Sequence, residues 1–270
     1  MTNSRSIPNV LTIAGSDPSG GAGIQADLKA FSALGAYGTS VITALTAQNT
    51  RGVHGVHPVP AEFIASQLET LLDDVRIDAV KIGMVASLEV AEVIREALTR
   101  RRPRWVVLDP VMVAKSGDIL VDDVGIRAVR EILVPLADLI TPNLPEAAVL
   151  LGLPAPATRG EMLAMAPALR ALGAGSALLK GGHLSGEECP DLLIRADAAI
   201  WVEGARVDTA NLHGTGCSLS SAITARLAQG DSLLEAVANA KRWLGEALGE
   251  SQRLDVGQGR GPVHHFHAWW

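Results

Sequence analysis

The run Gly214-Thr215-Gly216-Cys217 combines glycines with a nucleophilic side chain at the start of a predicted helix, Gly216–Ala228. We call this run the anion turn. Glycines at a helix start leave the first backbone N–H groups bare, and these groups together with the helix dipole form a binding site for an anion such as phosphate. The same field favours a thiolate, so the sequence predicts a lowered pKa for Cys217. The alternative is a buried, inert structural cysteine.

A second group of candidates offers oxygen ligands and a positive charge. Asn143 and Glu146 supply an amide and a carboxylate one helical turn apart, and Asp109 ends a predicted strand. Such hard oxygen ligands suit Mg²⁺ bound through water beside phosphates, with Glu146 and Asp109 as the candidate metal-shell residues. Asn143 and Glu146 also fit a helix cap, and the two roles are compatible. Lys180, next to two glycines, is a candidate for neutralising phosphate.

The glycine loop, Gly15–Gly23, matches neither familiar phosphate-binding motif. Gly15 and Gly20 have the spacing of a P-loop, yet Gly21 and Ala22 stand where that motif requires lysine and serine or threonine. The loop still allows a ligand to approach the backbone closely. A tight strand-to-helix turn without a ligand is the alternative.

The composition predicts one α/β domain over residues 1–270. Hydrophobic residues make up 48% of the 270 residues but aromatic residues only 3%, which suits a core of alanine, valine, leucine and isoleucine around a buried parallel sheet. A net charge of −6 without a basic stripe argues against nucleic-acid binding. Two cysteines are too few for a disulfide framework, and no stretch approaches the ~20 apolar residues of a membrane span. We therefore expect a soluble cytoplasmic protein without a nucleic-acid or membrane partner.

Short apolar runs alternate with helical periodicity, and this alternation predicts a parallel sheet with helices on both faces. The predicted strands are Val10–Ala14, Ala79–Gly83, Arg104–Asp109, Asp138–Thr141 and Ser176–Lys180. Asp191–Asp208 breaks the rhythm and predicts a small antiparallel edge hairpin, Leu192–Arg195 with Ala199–Val202. Ligands bind beyond the carboxyl ends of parallel strands. The candidates above, and Lys115–Asp118 after the third strand, should therefore gather at one edge of the sheet.

Motifs along most of the chain resemble, in order, those of bacterial hydroxymethylpyrimidine/phosphomethylpyrimidine kinases of thiamine biosynthesis. The motifs are Thr12–Lys29, Ala44–Asn49, Lys81–Met84, Leu108–Met112, Ile140–Ala147, Leu179–His183, His213–Cys217 and the tail Gly261–His267. The resemblance runs from about residue 9 to the C-terminus, and the length suits the kinase alone, without the synthase domain sometimes fused to it. It implies the ribokinase-like fold and the use of ATP with Mg²⁺.

The resemblance also implies two successive phosphorylations of 4-amino-5-hydroxymethyl-2-methylpyrimidine, first on its hydroxymethyl oxygen and then on the monophosphate. The implied pyrimidine pocket consists of Gln48, Gly15, Asp27, Met84 and Val111. The transferring phosphoryl group would be held by Gly214, Thr215 and Gly216. Cys217 stands where the wider sugar-kinase superfamily has an aspartate base. The implied nucleotide and metal side consists of Asp109, Asn143, Glu146, Lys180 and Lys241.

Gln48 is the candidate for recognising the pyrimidine. A primary amide has both a donor and an acceptor, so it can pair with an aminopyrimidine edge that offers an amine beside ring acceptors. Without the resemblance, Gln48 would be interpreted as a polar residue closing a turn before Asn49–Gly52. Because the small, apolar segment Ala44–Ala47 precedes it, we expect a partly desolvated amide. Lys241 has an ordinary exposed lysine as its alternative.

Three other functions fit parts of the pattern. A pyridoxal or pyridoxine kinase would share the fold and, in some relatives, the anion turn. An acyl-transfer hydrolase would use Cys217 as nucleophile with His183 or His213 as base, but the sequence shows no group to orient that base. A non-catalytic ligand-binding regulator would be expected to have lost the anion turn or Glu146, and both are present. The tail His264–His267 offers too few further ligands for zinc. Relatives are often dimers, so a homodimer is expected.

Overall fold

The computed structural model describes residues 6–112 and 121–270, so the predicted site segment Lys115–Asp118 lies outside the described residues. The strands of the described ranges are β1 (Asn9–Ala14), β2 (Tyr37–Ile42), β3 (Ala44–Asn49), β4 (Gly52–Pro58), β5 (Ala79–Ile82), β6 (Trp105–Leu108), β7 (Leu139–Ile140), β8 (Ala177–Lys180), β9 (Asp191–Ile194) and β10 (Ala199–Val202). Their α-helices are α1 (Gly23–Ala33), α2 (Ala61–Asp74), α3 (Leu88–Arg100), α4 (Asp123–Ala128), α5 (Leu144–Leu151), α6 (Arg159–Ala164), α7 (Ala166–Ala171), α8 (Thr215–Ala228) and α9 (Leu233–Gly249).

One large sheet has eight strands in the order β10-β9-β8-β7-β6-β5-β1-β2. Neighbouring strands from β8 across to β2 are parallel, whereas β9 runs antiparallel to both β8 and β10. β3 and β4 form a separate antiparallel pair, which we call the small sheet. The predicted mainly parallel sheet with an antiparallel edge hairpin is confirmed, and it is the ribokinase-like arrangement that the resemblance implies.

Helices cover both faces of the large sheet, because successive residues of a strand point to opposite layers. In β6, Val106 and Leu108 join a core formed with α2 to α7, whereas Val107 joins a second core with α8 and α9. The strands are apolar on both faces and therefore appear in the sequence as near-continuous apolar runs. This is why the sequence pattern located β1, β5, β6, β7, β8 and the hairpin.

The sequence prediction lacks β2, β3 and β4, because these strands bury few residues. In β2 only Val41 is fully buried, and the strand lies at the edge of the sheet. The amide of Gln67 on α2 pairs with this edge, since it accepts from Ile42 N at 3.0 Å and donates to Ile42 O at 3.2 Å. The turn expected after Gln48 is present, because β3 ends at Asn49 and β4 begins three residues later.

The helix after the anion turn, α8, lies at the centre of its layer. Every residue from Ser218 to Ala225 is buried. Small side chains allow this close packing, and the hydroxyls are satisfied inside: Ser221 Oγ donates to Asp27 and Thr224 Oγ1 donates to Ser220 O. Among the helices that the structure describes, none is both long and apolar enough to cross a membrane.

The histidine-rich tail packs beneath α8. Val263, His264 and His265 are buried, and His265 Nε2 lies 2.8 Å from Ser218 Oγ in a hydrogen bond. Burial lowers the pKa of His265 to about 3, so its ring is neutral at physiological pH. The tail therefore supports the first turns of α8.

Candidate active site

The predicted site residues follow the carboxyl ends of the parallel strands, as expected. Gly15 follows β1, Met84 follows β5 by two residues, Asp109 follows β6, Asn143 lies beyond β7 and Lys180 ends β8. The anion turn reaches the same edge from the opposite direction, because α8 begins there at Thr215.

The anion turn is shaped by Gly214, which precedes α8 with a left-handed φ of 74°. A Cβ at Gly214 would lie 1.7 Å from the carbonyl oxygen of Gly21, so only glycine fits. Thr215 closes the turn, since its Oγ1 donates to Leu212 O at 2.6 Å. The first N–H groups of α8 are thereby held at the sheet edge, where a helix N-terminus carries a partial positive charge.

A lysine and two carboxylates surround this helix start. Lys180 Nζ lies 3.0 Å from Asp109 Oδ1 and 4.0 Å from Glu146 Oε2. A Cβ built on Gly216 would lie 3.5 Å from Lys180 Nζ and 3.6 Å from Asp109 Oδ2. Asp109 also accepts from Thr141 Oγ1 at 3.1 Å and from Ser220 Oγ at 3.3 Å. We call Lys180, Asp109 and Glu146 the charge cluster.

Lys180 and Asp109 keep each other ionised. Burial raises the pKa of Asp109, but the ammonium groups of Lys180 and Lys81 outweigh this effect and hold it below its usual value. Burial lowers the pKa of Lys180, but Asp109 and Glu146 outweigh this effect and raise it. The site therefore presents a fixed ammonium beside carboxylates, which is suited to binding a phosphate together with a cation.

Asn143 and Glu146 form the predicted helix cap. Asn143 Oδ1 accepts from Glu146 N at 2.9 Å, and Glu146 Oε2 accepts from Asn143 N at 2.8 Å, which completes a capping box at the start of α5. Glu146 is buried, and its Oε2 lies 4.0 Å from Lys180 Nζ. The cap fixes the carboxylate at the site edge, so the structural and the site role coincide.

The prediction of a lowered pKa for Cys217 is wrong. Burial of the thiol raises its pKa to about 11, and the carboxylates of Asp27 and Asp109 raise it further. Lys81 and a hydrogen bond from Gly23 N act in the opposite direction but are outweighed. The stabilisation of a thiolate by the helix dipole is therefore smaller than the free-energy cost of placing a thiolate in this half-buried position beside two carboxylates.

Beneath Cys217 lies a fully buried ion pair. Lys81 Nζ lies 2.9 Å from Asp27 Oδ2, and neither side chain is exposed. Asp27 also accepts from Thr12 Oγ1 at 2.6 Å and from Ser221 Oγ at 2.7 Å. The structure thus places Asp27 below the site, with both carboxylate oxygens held by β1, β5 and α8.

Two of the predicted pocket residues, Gly15 and Met84, are close together on the acceptor side. A Cβ on Gly15 would lie 2.8 Å from Met84 Cε and 3.5 Å from the carbonyl oxygen of Ala44, which begins β3. Gln48 lies further along β3 and is half-buried, and its Oε1 accepts from Thr46 Oγ1 at 3.3 Å. Val111 is half-buried two residues after Asp109.

Lys241 lies on α9 and is held by the start of β9. Its Nζ donates to Asp191 Oδ2 at 2.5 Å and to Cys189 O at 2.6 Å. Asp191 in turn accepts from Gly181 N at 2.8 Å. Lys241 is therefore joined through Asp191 to the turn that follows Lys180.

The sequence analysis did not predict two polar contacts at the site, one between Asp17 and His213 and one between Asp27 and Lys81. Asp17 in the glycine loop and His213 before the anion turn form a hydrogen bond, with 2.7 Å between Oδ2 and Nε2. In the sequence, Lys81 is noted only as the first residue of the motif Lys81–Met84. A signal existed for Lys81, because a lysine inside an apolar strand needs a buried carboxylate. No local signal links Asp17 to His213, since the two are 196 residues apart.

Comparisons with known proteins agree with this geometry. The family model described as phosphomethylpyrimidine kinase matches residues 17–264. The hydroxymethylpyrimidine/phosphomethylpyrimidine kinase of Salmonella typhimurium is 54% identical over 262 residues, covering 97% of this chain and 98% of that protein. The thiamine biosynthesis bifunctional protein ThiED of Geobacter sulfurreducens is 50% identical over 96% of this chain and 52% of its own length.

A solved structure is also similar over nearly the whole chain. An ADP complex of Bacillus subtilis pyridoxal kinase superposes with a TM-score of 0.90 at 38% identity, covering 97% of this chain and 99% of that one. The likeness therefore extends to a nucleotide-bound kinase whose named acceptor is not a pyrimidine.

Proposed function

The chain belongs to the phosphomethylpyrimidine kinase family, and from this membership we propose how its residues perform the reaction. It is an ATP-dependent kinase of thiamine biosynthesis. It phosphorylates 4-amino-5-hydroxymethyl-2-methylpyrimidine to the monophosphate and then the monophosphate to the diphosphate. The observation that carries the assignment of roles is the ammonium of Lys180, which stands at the first turn of α8.

The anion turn and Lys180 form the proposed cradle for the transferring phosphoryl group. The loose transition state of phosphoryl transfer spreads negative charge over the equatorial oxygens. The backbone N–H of Gly216 and the ammonium of Lys180 are donors that can stabilise this charge. The N–H of Thr215 donates to Leu212 O at 3.4 Å and would exchange this long hydrogen bond for one to the phosphoryl group. Lys180 is the residue to which we assign the largest catalytic contribution.

The charge cluster fits Mg²⁺ held partly by water and phosphate. No group of three or more histidine, cysteine, aspartate or glutamate side chains in residues 6–112 and 121–270 could hold a metal ion alone. Asp109 and Glu146 together offer the one or two carboxylates with which proteins usually hold Mg²⁺ beside nucleotide phosphates. When bound there, Mg²⁺ would neutralise charge on the phosphates of ATP. Asn143 and Lys241 complete the proposed nucleotide side, Lys241 through its link to the Gly181 turn.

Cys217 is proposed to contact the acceptor as a neutral thiol. A pKa of about 11 leaves it protonated at neutral pH. A dissociative transition state needs little help from a base, so a protonated Cys217 is compatible with turnover. The hydrolase alternative is disfavoured, because the charges acting on the Cys217 thiol are those of Lys81, Asp27 and Asp109, and a pKa raised to about 11 is the opposite of an activated nucleophile.

Gln48, Gly15, Met84 and Val111 form the proposed acceptor pocket. The contact between Gly15 and Met84 and their closeness to the start of β3 support this grouping. The Gln48 amide is half-buried and can pair with the aminopyrimidine edge. We give Asp27 an indirect role, because its carboxylate is fully buried and supports the floor of the pocket with Lys81.

A pyridoxal kinase activity is the second candidate, and the observation that favours it is the TM-score of 0.90 with a pyridoxal kinase. The two candidates differ in the acceptor ring. The test is incubation of the protein with MgATP and the hydroxymethylpyrimidine, with mono- and diphosphate detected by mass, beside the same reaction with pyridoxal. A higher kcat/KM for pyridoxal would overturn the assignment of the pyrimidine.

We also propose that the chain acts as one domain and assembles as a homodimer in the cytoplasm. The small sheet supports the dimer, because Leu45 and Val56 are each 48% exposed there. A cytoplasmic location is supported by the use of ATP. Sedimentation of the wild-type protein tests the dimer, and a monomer at micromolar concentration would reject it.

A further inference from the structure

A side-chain hydrogen bond joins the glycine loop to the residue that precedes the anion turn, and the proposed mechanism does not use it. Asp17 Oδ2 accepts from His213 Nε2 at 2.7 Å. The carboxylate of Asp17 is 1% exposed and the imidazole 14%. The contact therefore lies between the two loops, away from bulk solvent.

Within residues 6–112 and 121–270, the other hydrogen-bond donors to Asp17 belong to its own loop. Oδ1 accepts from Ser19 N at 2.9 Å and from Ser19 Oγ at 2.7 Å, and Oδ2 accepts from Gly21 N at 3.1 Å and Ala22 N at 2.8 Å. Burial raises the pKa of Asp17, but the hydrogen bonds from His213 and Ser19 outweigh it and lower the pKa to about 2. Asp17 is therefore an ionised acceptor that fixes the shape of the loop.

The backbones of the two loops touch at this point. A Cβ on Gly21 would lie 2.3 Å from His213 Cδ2, and a Cβ on Gly214 would lie 1.7 Å from Gly21 O. The backbone of His213 is held by the C-terminal tail. Its backbone N–H donates to Gly261 O at 3.0 Å, and His213 forms an isolated parallel β-bridge with Pro262. The two loops therefore leave no space for a side chain between Gly21 and Gly214, and the hydrogen bond between Asp17 and His213 joins them at this point.

We propose that Asp17 and His213 are positioning residues that set the distance between the bound acceptor and the transferring phosphoryl group. The inference rests on the proposed function, in which Gly15 of the glycine loop lines the acceptor pocket and Gly214–Gly216 hold the phosphoryl group. Transfer requires the attacking and leaving oxygens to be in line. A misplacement of about 1 Å can cost roughly 10²-fold in rate.

The test compares His213→Ala with His213→Gln in steady-state assays with MgATP and the hydroxymethylpyrimidine. We expect His213→Ala to lower kcat by about 10- to 100-fold while the KM for ATP changes by less than about threefold. His213→Gln should restore most of kcat, because its amide N–H can still donate to Asp17. A merely structural role would not give this rescue together with an unchanged KM. His54→Ala, an exposed histidine on β4, is the matched control.

Wild-type kcat in His213→Ala, or a His213→Gln variant as slow as His213→Ala, would overturn the positioning role. If His213→Ala does not fold, His213→Leu replaces it, since leucine fills the space of the ring without a donor. The proposed function fails separately, if the wild-type enzyme does not phosphorylate the pyrimidine. In that case the same ratios are measured with pyridoxal as acceptor, so the positioning role is still decided.

Discussion

The phosphoryl side and the acceptor side of the site are built in opposite ways. On the phosphoryl side, the side chains of Lys180, Asp109 and Glu146 are 12%, 2% and 9% exposed and are joined to one another and to the helix starts of α5 and α8. On the acceptor side, the residues that the structure describes form a small sheet of two strands, in which Leu45 and Val56 are each 48% exposed. One half is a buried network of charges, and the other is an exposed antiparallel pair of strands.

This difference separates rate from specificity. Charges held in a buried network are preorganised, so a change there should lower kcat. A residue on an open sheet can change without disturbing that network, so a change there should alter KM and the choice of acceptor. The likeness to a pyridoxal kinase fits this division, because a similar fold serves a different named acceptor.

Removing the charge of Lys180 should have the largest effect. We expect Lys180→Met to lower kcat by about 10²–10³-fold, since it removes a donor to the developing charge. The pKa of Asp109 should rise, because Lys180 is the first of the two lysines that hold it down. Steady-state kinetics and thermal unfolding are the measurements.

Lys180→Arg is the control for this prediction, because it keeps the charge and changes only its geometry. The arginine variant should retain more activity than the methionine variant. A methionine variant within about threefold of wild-type kcat would contradict the central role of Lys180.

Gln48 tests the acceptor side. Gln48→Leu removes both polar groups at similar size, and the lost hydrogen bonding should cost about 1–3 kcal/mol, which raises the KM for the pyrimidine roughly 5- to 150-fold. Gln48→Glu keeps an acceptor but loses the donor. In both variants the KM for ATP should change far less than the KM for the pyrimidine. The leucine variant should also have a smaller preference for the pyrimidine over pyridoxal, measured as the ratio of the two kcat/KM values. An unchanged pyrimidine KM in both would mean that Gln48 only precedes the turn of the small sheet.

Glu146→Gln separates the charge of this residue from its capping role. Glutamine at the third helical position can still complete the capping box, so the fold of α5 should survive. We expect the Mg²⁺ concentration for half-maximal activity to rise about tenfold, as for weakened ligand shells. Glu161→Gln, an exposed residue of the third helical position of α6, is the matched control. An unchanged Mg²⁺ requirement would remove Glu146 from the metal side.

The sequence predicted the parallel frame and the site edge because both depend on local pattern. Apolar runs mark buried strands, and the residues that follow them must share one edge of the sheet. The small sheet was missed because residue type does not follow burial there: in β3, Leu45 and Ala47 are exposed, whereas Thr46 and Gln48 are half-buried. It was instead the motif resemblance that placed Gln48 on the acceptor side.

The interactions that the sequence could not predict are those between distant residues. The pairs Asp17–His213 and Asp27–Lys81 join segments 196 and 54 residues apart. The error over Cys217 has the same origin. The helix field is visible in the sequence, whereas the burial and the two carboxylates that raise its pKa come from tertiary packing.

Cys217 should give the smallest kinetic effect and lies where the two sides meet. If it were a general base, Cys217→Ala would cost about 10²–10⁴-fold. Because the thiol is protonated at neutral pH and the transition state needs little base help, we expect a loss of less than about tenfold in kcat.

The pH dependence of alkylation by iodoacetamide, measured in a Cys189→Ser background, tests the raised pKa of Cys217. A pKa of about 11 means that the thiolate fraction rises with pH, so alkylation should accelerate about tenfold per unit between about pH 7 and 10. An alkylation rate that levels off near neutral pH, or a loss above about 100-fold in Cys217→Ala, would restore the thiolate base and move Cys217 to the phosphoryl side of the comparison.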